Sequence, residues 1–333
     1  MIDEKGVQNM QDALTSAKPA QIRKRQLQPV IIIATLALLC ALFGILNPNF
    51  ISPSNLFSIL LASVMVGMMA VGESMCIIAG YFDMSVGMVA SLSALALAYT
   101  LTGTHSLLLA LLLGVLVAAA CGLLAGLLVS YLRMNAFITT FALQSIYRGI
   151  IYILTNGLPI PLMGEEFSAF TSIGQYKLFG AIQFPIIAML LVYVMAALFM
   201  KYRRLGRSIY LVGGNPKCAQ ISGISLHKIH LLVFVVCDVL AGLAGILYAS
   251  RMATAQPFLS ETIAMEAIAA SVVGGVSMMG GKGNIAMTFL GVLIIYIVKN
   301  GLTMVGMPDF YQYIATGLIL YVAVLAQMTR KEK

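Results

Sequence analysis

Apolar runs of about membrane-crossing length recur along almost the whole chain, and they restrict what it can fold into. A spanning helix takes about 20 apolar residues to cross a hydrocarbon core about 30 Å thick. Runs of this kind lie at 29–46, 56–79, 88–101, 106–131, 136–155, 182–200, 230–250, 265–279, 285–304 and 310–328. Only 10% of the 333 residues are charged, whereas a soluble domain is about a quarter charged. The low charge extends over the full length, which argues against a soluble domain with one anchor. The runs are continuous and do not alternate, which argues against a β-barrel. The chain is therefore predicted to be an all-α polytopic membrane protein of about ten transmembrane helices. Residues 29–328 form one transmembrane domain between polar tails at 1–28 and 329–333.

The longest polar interruption is 201–229, with six Lys or Arg and no Asp or Glu. Cationic loops stay on the cytoplasmic side. Within it, Asn215 is a helix cap, Pro216 fits a first turn, and Gly223 is a stop, so a short helix is expected there. Such a helix is either a docking surface or part of a loop that only fixes topology. Ten crossings from a cytoplasmic N-terminus place 201–229, Lys282 and the C-terminal tail inside, and the loop 156–181 outside. Nine or eleven would strand a basic tail on the wrong side. The run 265–279 is short and is expected to cross barely or to re-enter.

The formal charge of +8 sits mainly in the tails and the 201–229 loop, so it reads as topology and contact with anionic lipid. A nucleic-acid face with polar or aromatic readers is absent. The five cysteines have no metal spacing and lie mostly in apolar runs, as small hydrophobes. His227 and His230 lack a third ligand. Gly280-Gly281-Lys282-Gly283 lacks the residues of a phosphate loop, and no nucleophile triad stands in a polar context. Nothing in the chain reads as an enzyme, and no cofactor or metal of its own is expected.

Polar groups at membrane depth are functional candidates. Asp83, in Gly80–Gly87 with Ser85, suits a helix break lining a solute path, or a turn in which Asp83 caps the third span through the Ser85 and Val86 amides. Glu73 lies in an apolar run and is either functional or neutral and hydrogen-bonded; Arg148 is a candidate partner. Asn135, Thr139, Gln144, Arg148 and Gln256 complete the candidate path residues. A faint inverted repeat relates spans 2–5 to spans 7–10, with Gly-rich breaks at 79–87 and 273–283. Inverted repeats with broken or short helices are a transporter architecture.

IIAGYFDMSVGMVASLSA (77–94), NAFITTFALQSIYRGIIY (135–152), RRLGRSIYLVGGNPKCAQISGISLHKI (203–229), LAGLAGILYASRMATAQP (240–257) and AIAASVVGGVSMMGGKGNIAMTFLGVLI (267–294) carry a resemblance. Together they resemble the permease subunits of bacterial ABC importers for monosaccharides, of the ribose, arabinose and galactose type, and look closest to the arabinose members. The resemblance implies a homo- or heterodimer of permeases in the inner membrane. It implies a cytoplasmic ATPase that uses ATP and magnesium, and a periplasmic sugar-binding protein. It also implies that 213–224 is the coupling region, with Gly213, Gly214, Asn215, Pro216, Ala219, Ser222, Gly223 and Ile224 at the ATPase contact. Tyr81, Phe82, Met84 and Glu73 depart from the commonest pattern, so the sugar stays open. The alternative is a proton-coupled secondary transporter using Glu73, Asp83 and Arg148. A non-transporting scaffold would not need breaks with polar residues at depth.

Overall fold

The computed structural model describes residues 29–329 except 179, 181, 260, 261 and 309; the tail 1–28 and nearly all of the tail 329–333 lie outside the described residues. Each expected apolar run contains a helix, and local capping explains several of the boundaries. Helix α1 is Pro29–Leu46. Helix α2, Pro53–Ala79, starts where Ser52 Oγ accepts from the Asn55 amide and Pro53 fills the first turn; it stops at Gly80, whose φ of 97° suits a residue without a side chain. It is followed by α3 (Val86–Thr104), α4 (Leu107–Ser130) and α5 (Ala136–Thr155), the last capped by Asn135. The expected outer loop holds a short helix, α6 (Ser168–Gln175), before α7 (Phe184–Tyr202).

The expected basic loop is largely helical. Helix α8 is Arg204–Gly214 and α9 is Pro216–Ile221; Asn215 caps α9 through the Cys218 amide, and Gly223 follows at φ 78°. Helix α10 (Leu226–Met252) is as long as α2, at 27 residues. Helices α11 (Ile263–Val273), α12 (Ile285–Met304) and α13 (Phe310–Thr329) complete the chain. The eighth run shrinks to 11 residues, about 16 Å of helix, too short to cross. The non-helical stretch 274–284 carries the chain onward. Its backbone is paired within the protein: Val276 N–H donates to the Ser271 carbonyl at 3.0 Å and Ser277 N–H to Lys282 at 2.9 Å. Such backbone is tolerated at depth only where protein surrounds it.

Helices α2 and α10 run antiparallel through the centre. Tyr81, just past α2, meets His230 near the start of α10, while Gly72 lies against Cys237. Helix α10 packs along α3 and α4, and α2 packs along α11 and α12. Each half thus lends its long first helix to the other half's next two. The breaks are not equivalent, contrary to the expected pairing: 80–85 follows the first helix of its half, whereas 274–284 follows the second helix of its own.

Both bundle ends can be traced from contacts. One gathers 80–85, 131–135, 203–225 and 274–284. The other holds β1 (Ile160–Pro161) paired antiparallel with β4 (Thr254–Ala255), and His105 3.9 Å from Glu166. A short hairpin of β2 (Lys177–Leu178) and β3 (Ile182–Gln183) leads into α7. Small residues allow the close crossings. A Cβ on Gly72 would lie 2.7 Å from Cys237 Cα, and one on Gly122 2.7 Å from the Phe234 carbonyl. Gly72→Val is expected to cost about 1–3 kcal/mol of stability through overpacking, read as a lower thermal midpoint in detergent. An unchanged midpoint would contradict the α2–α10 packing.

Candidate functional site

The break after α2 brings together the acids that stood out in the sequence. Glu73 and Asp83 are both fully buried. Asp83 N–H donates to Glu73 Oε2 at 3.5 Å. Asp83 Oδ1 accepts from the Ser85 amide at 2.9 Å and from Ser85 Oγ at 2.6 Å, which holds the turn ahead of α3. Capping therefore runs through Ser85 twice and not through Val86. The neighbouring amide of Met84 donates to Thr140 Oγ1 on α5 at 3.0 Å, so the break is anchored to a second helix. Each of these bonds satisfies a backbone or side-chain group that no water reaches, and an unmet one costs about 1–3 kcal/mol.

The other candidates are dispersed. Asn135 is exposed and caps α5 by accepting from the Ile138 amide at 3.2 Å. Thr139 and Gln144 are buried on α5. Arg148 lies further along α5, its guanidinium 5.4 Å from the Phe258 ring. It forms no ion pair with Glu73, so that expected couple is not made. Gln256 sits beside β4, at the end of the bundle remote from the acids. Only Asn135 of this set lines the open cleft of about 650 Å³ between the break and α9. Tyr81, Phe82, Arg133, Gln220 and His230 share that lining.

Sequence reasoning missed Asp238, fully buried on α10 and, like Glu73, a lone acid in an apolar run. Lys299, a lone base in α12, was missed in the same way; it pairs with Glu266 at 2.8 Å.

The coupling segment is joined to the break. Gly281 N–H donates to the Ile78 carbonyl at 2.8 Å, at the end of α2. Gly213 of α8 lies on that same carbonyl, with no room for a side chain, and 2.8 Å separates a Cβ there from the Gly281 nitrogen. Tyr210 donates to the Gly283 carbonyl at 3.1 Å. On α9, Ala219 is buried, whereas Gln220 and Ile221 are exposed, Ile221 at 79%. Gly214, Asn215, Pro216, Ser222 and Gly223 are exposed too, and Ile224 is half-buried.

The family description "Branched-chain amino acid transport system / permease component" matches residues 55–324. This chain belongs to that permease family. Its members among known proteins include the ribose import permease protein of Bacillus subtilis (strain 168), 36% identical over 290 residues, 87% of this chain and 89% of the relative. The ribose import permease protein of Escherichia coli (strain K12) is also 36% identical, over 87% of this chain and 90% of its own length. The L-arabinose transport system permease protein of the same strain is 33% identical over 89% and 88%. The ribose permeases thus stand at the higher identity, against the arabinose leaning of the sequence blocks. No solved structure matches the chain. As in those relatives, the permease is a transporter component and not itself an enzyme. Of the family-implied coupling residues, Ala219 alone is buried, so it supports α9 from behind.

The break gives a direct test. Asp83→Asn keeps an acceptor oxygen for Ser85, whereas Asp83→Ala removes both bonds. The alanine variant is expected to lose about 1–3 kcal/mol relative to the asparagine one, measured as thermal unfolding in detergent. Equal midpoints would show that Asp83 does not hold the break.

Proposed function

We propose that this chain is the membrane permease of an ATP-driven importer that passes one monosaccharide across the bacterial inner membrane. The arrangement that carries the reading is the exposed helix α9, held on α8, with α8 seated on the broken end of α2. A partner ATPase would push on α9, and the push would reach the buried break without passing through flexible chain. In this reading Gly213, Gly214, Asn215, Pro216, Ser222, Gly223 and Ile224 shape the ATPase contact, with Ala219 behind it. Ile221 and Gln220 supply its exposed face. ATP and magnesium act on the ATPase, and this chain holds neither.

In this reading the basic α8–α9 segment and both termini face the cytoplasm. The opposite end, with the β1–β4 pair and α6, receives a periplasmic sugar-binding protein. A second permease, identical or not, completes the path, and lipid covers the apolar outer faces. Glu73, Asp83 and Ser85 gate the path at its cytoplasmic end, where Asn135 lines the adjoining cleft, while Thr139, Gln144, Arg148 and Gln256 line it further along. The ribose and arabinose permeases among the relatives support a pentose-sized cargo, carried without a net charge.

Ile221→Asp is the cleanest probe, because Ile221 has little packing within the chain. Losing an apolar anchor at a docking surface costs about 2 kcal/mol or more. ATP-dependent sugar uptake in proteoliposomes is expected to fall about tenfold or more with the permease still inserted. Uptake at the wild-type rate would remove α9 as the docking element.

A further inference from the structure

At the end of the bundle remote from α9, a second cleft of about 320 Å³ opens between α2, α10, α11, α12 and α13. Its wall contains the one ion pair within the spans among the described residues. Lys299 Nζ donates to Glu266 Oε1 at 2.8 Å, and the side chains are only 21% and 7% exposed. Thr262 Oγ1 donates to the same oxygen at 3.2 Å. The ammonium also lies 5.3 Å from the centroid of the Tyr296 ring. Tyr248, Tyr313 and Gln312 line the same space.

Two ionised groups at this depth are costly, because their attraction does not reliably offset the lost hydration. Ionisable residues inside spans are functional-site candidates by default. The chemistry here narrows the solute. A carboxylate accepts from hydroxyl groups and an ammonium donates to them, so a polyhydroxy ligand meets both. Tyrosine rings supply flat apolar faces for the C–H side of a ring. The pair has no net charge, so it gives no net attraction for an anion or for a cation. The volume stands at the low end of small-molecule clefts, about 300–1,000 Å³, which suits one sugar ring and not two.

We propose that this cleft is a binding subsite for a single neutral sugar ring on the outer side of the path, with Glu266 and Lys299 reading its hydroxyls and tyrosine rings covering its face. The proposal rests on the reading of the chain as a monosaccharide permease. It assigns recognition to the permease itself, beside whatever selection a delivering protein exerts.

The test uses the complete transporter, with its ATPase and binding protein, in proteoliposomes. The readout is sugar taken up per ATP hydrolysed, with a monosaccharide that the wild-type complex transports. Glu266→Gln and Lys299→Met are each expected to lower that ratio about tenfold, the effect of losing one charge-assisted hydrogen bond. The exchanged double variant Glu266→Lys with Lys299→Glu re-forms an ion pair with its partners reversed. If the ratio falls in both single variants and stays low in the exchange, the subsite stands. An unchanged ratio in the single variants, or full recovery in the exchange, reduces the pair to a tie between α11 and α12 and overturns the proposal. Should the single variants be lost from the membrane, Tyr313→Ala decides, since Tyr313 is 61% exposed at the rim. A lowered ratio supports the subsite and an unchanged one overturns it. Wild-type uptake that needs no ATP would instead overturn the importer reading itself.

Discussion

The carbonyl of Ile78 is where the parts of this molecule meet. It ends α2, accepts from the Gly281 amide at 2.8 Å, and is covered by Gly213 of α8. Three segments far apart in sequence therefore share one peptide group: the long helix of the first half, the non-helical stretch of the second half, and the arm that carries α9. The joint demands glycine. Gly280 and Gly281 stand at φ 76° and 69°, in the region that side chains disfavour. Gly213 has no space for even a methyl group. In the proposed reading, a displacement of α9 would act on the end of α2 and on the 274–284 stretch together.

From that joint the remaining architecture follows. Because α2 stops at Gly80, the backbone of 80–85 needs partners inside the protein, and Glu73, Asp83 and Thr140 provide them. Because α11 stops short, the backbone of 274–284 needs partners inside the protein, and Ser271 and Ile78 accept amides from it. Between these breaks, Ser74 lies 3.0 Å from Ser271 Oγ and 2.8 Å from Thr288 Oγ1, tying α2 to α11 and α12. The antiparallel α2–α10 core and the exchanged packing of the halves make both breaks part of one unit.

Much of this was legible in the sequence, for identifiable reasons. Helix number and limits follow from membrane thickness and from caps such as Ser52-Pro53 and Asn215-Pro216, which are local chemistry. The exposed short helix α9 was readable from the same caps. What sequence alone could not reach depends on which faces meet. Arg148 looked like a partner for Glu73 because both are ionisable at depth, but α5 turns it toward Phe258. The family resemblance implied Ala219 as contact surface, but it faces inward, while Ile221 two residues on is exposed. Asp238 and Lys299 carry the same signal as Glu73, a lone ionisable residue in an apolar run, and were legible by the same rule. Two Gly-rich stretches looked equivalent because composition does not record position within each half.

The central claim is that the Gly213 joint transmits ATPase motion to the membrane helices. The most direct measurement compares Gly213→Ala with Gly103→Ala, whose added methyl meets nothing within 4 Å, as sugar transported per ATP hydrolysed by the assembled transporter. The account predicts a fall of about tenfold or more for Gly213→Ala and a ratio near wild type for Gly103→Ala. Equal ratios in both variants and the wild type would contradict it.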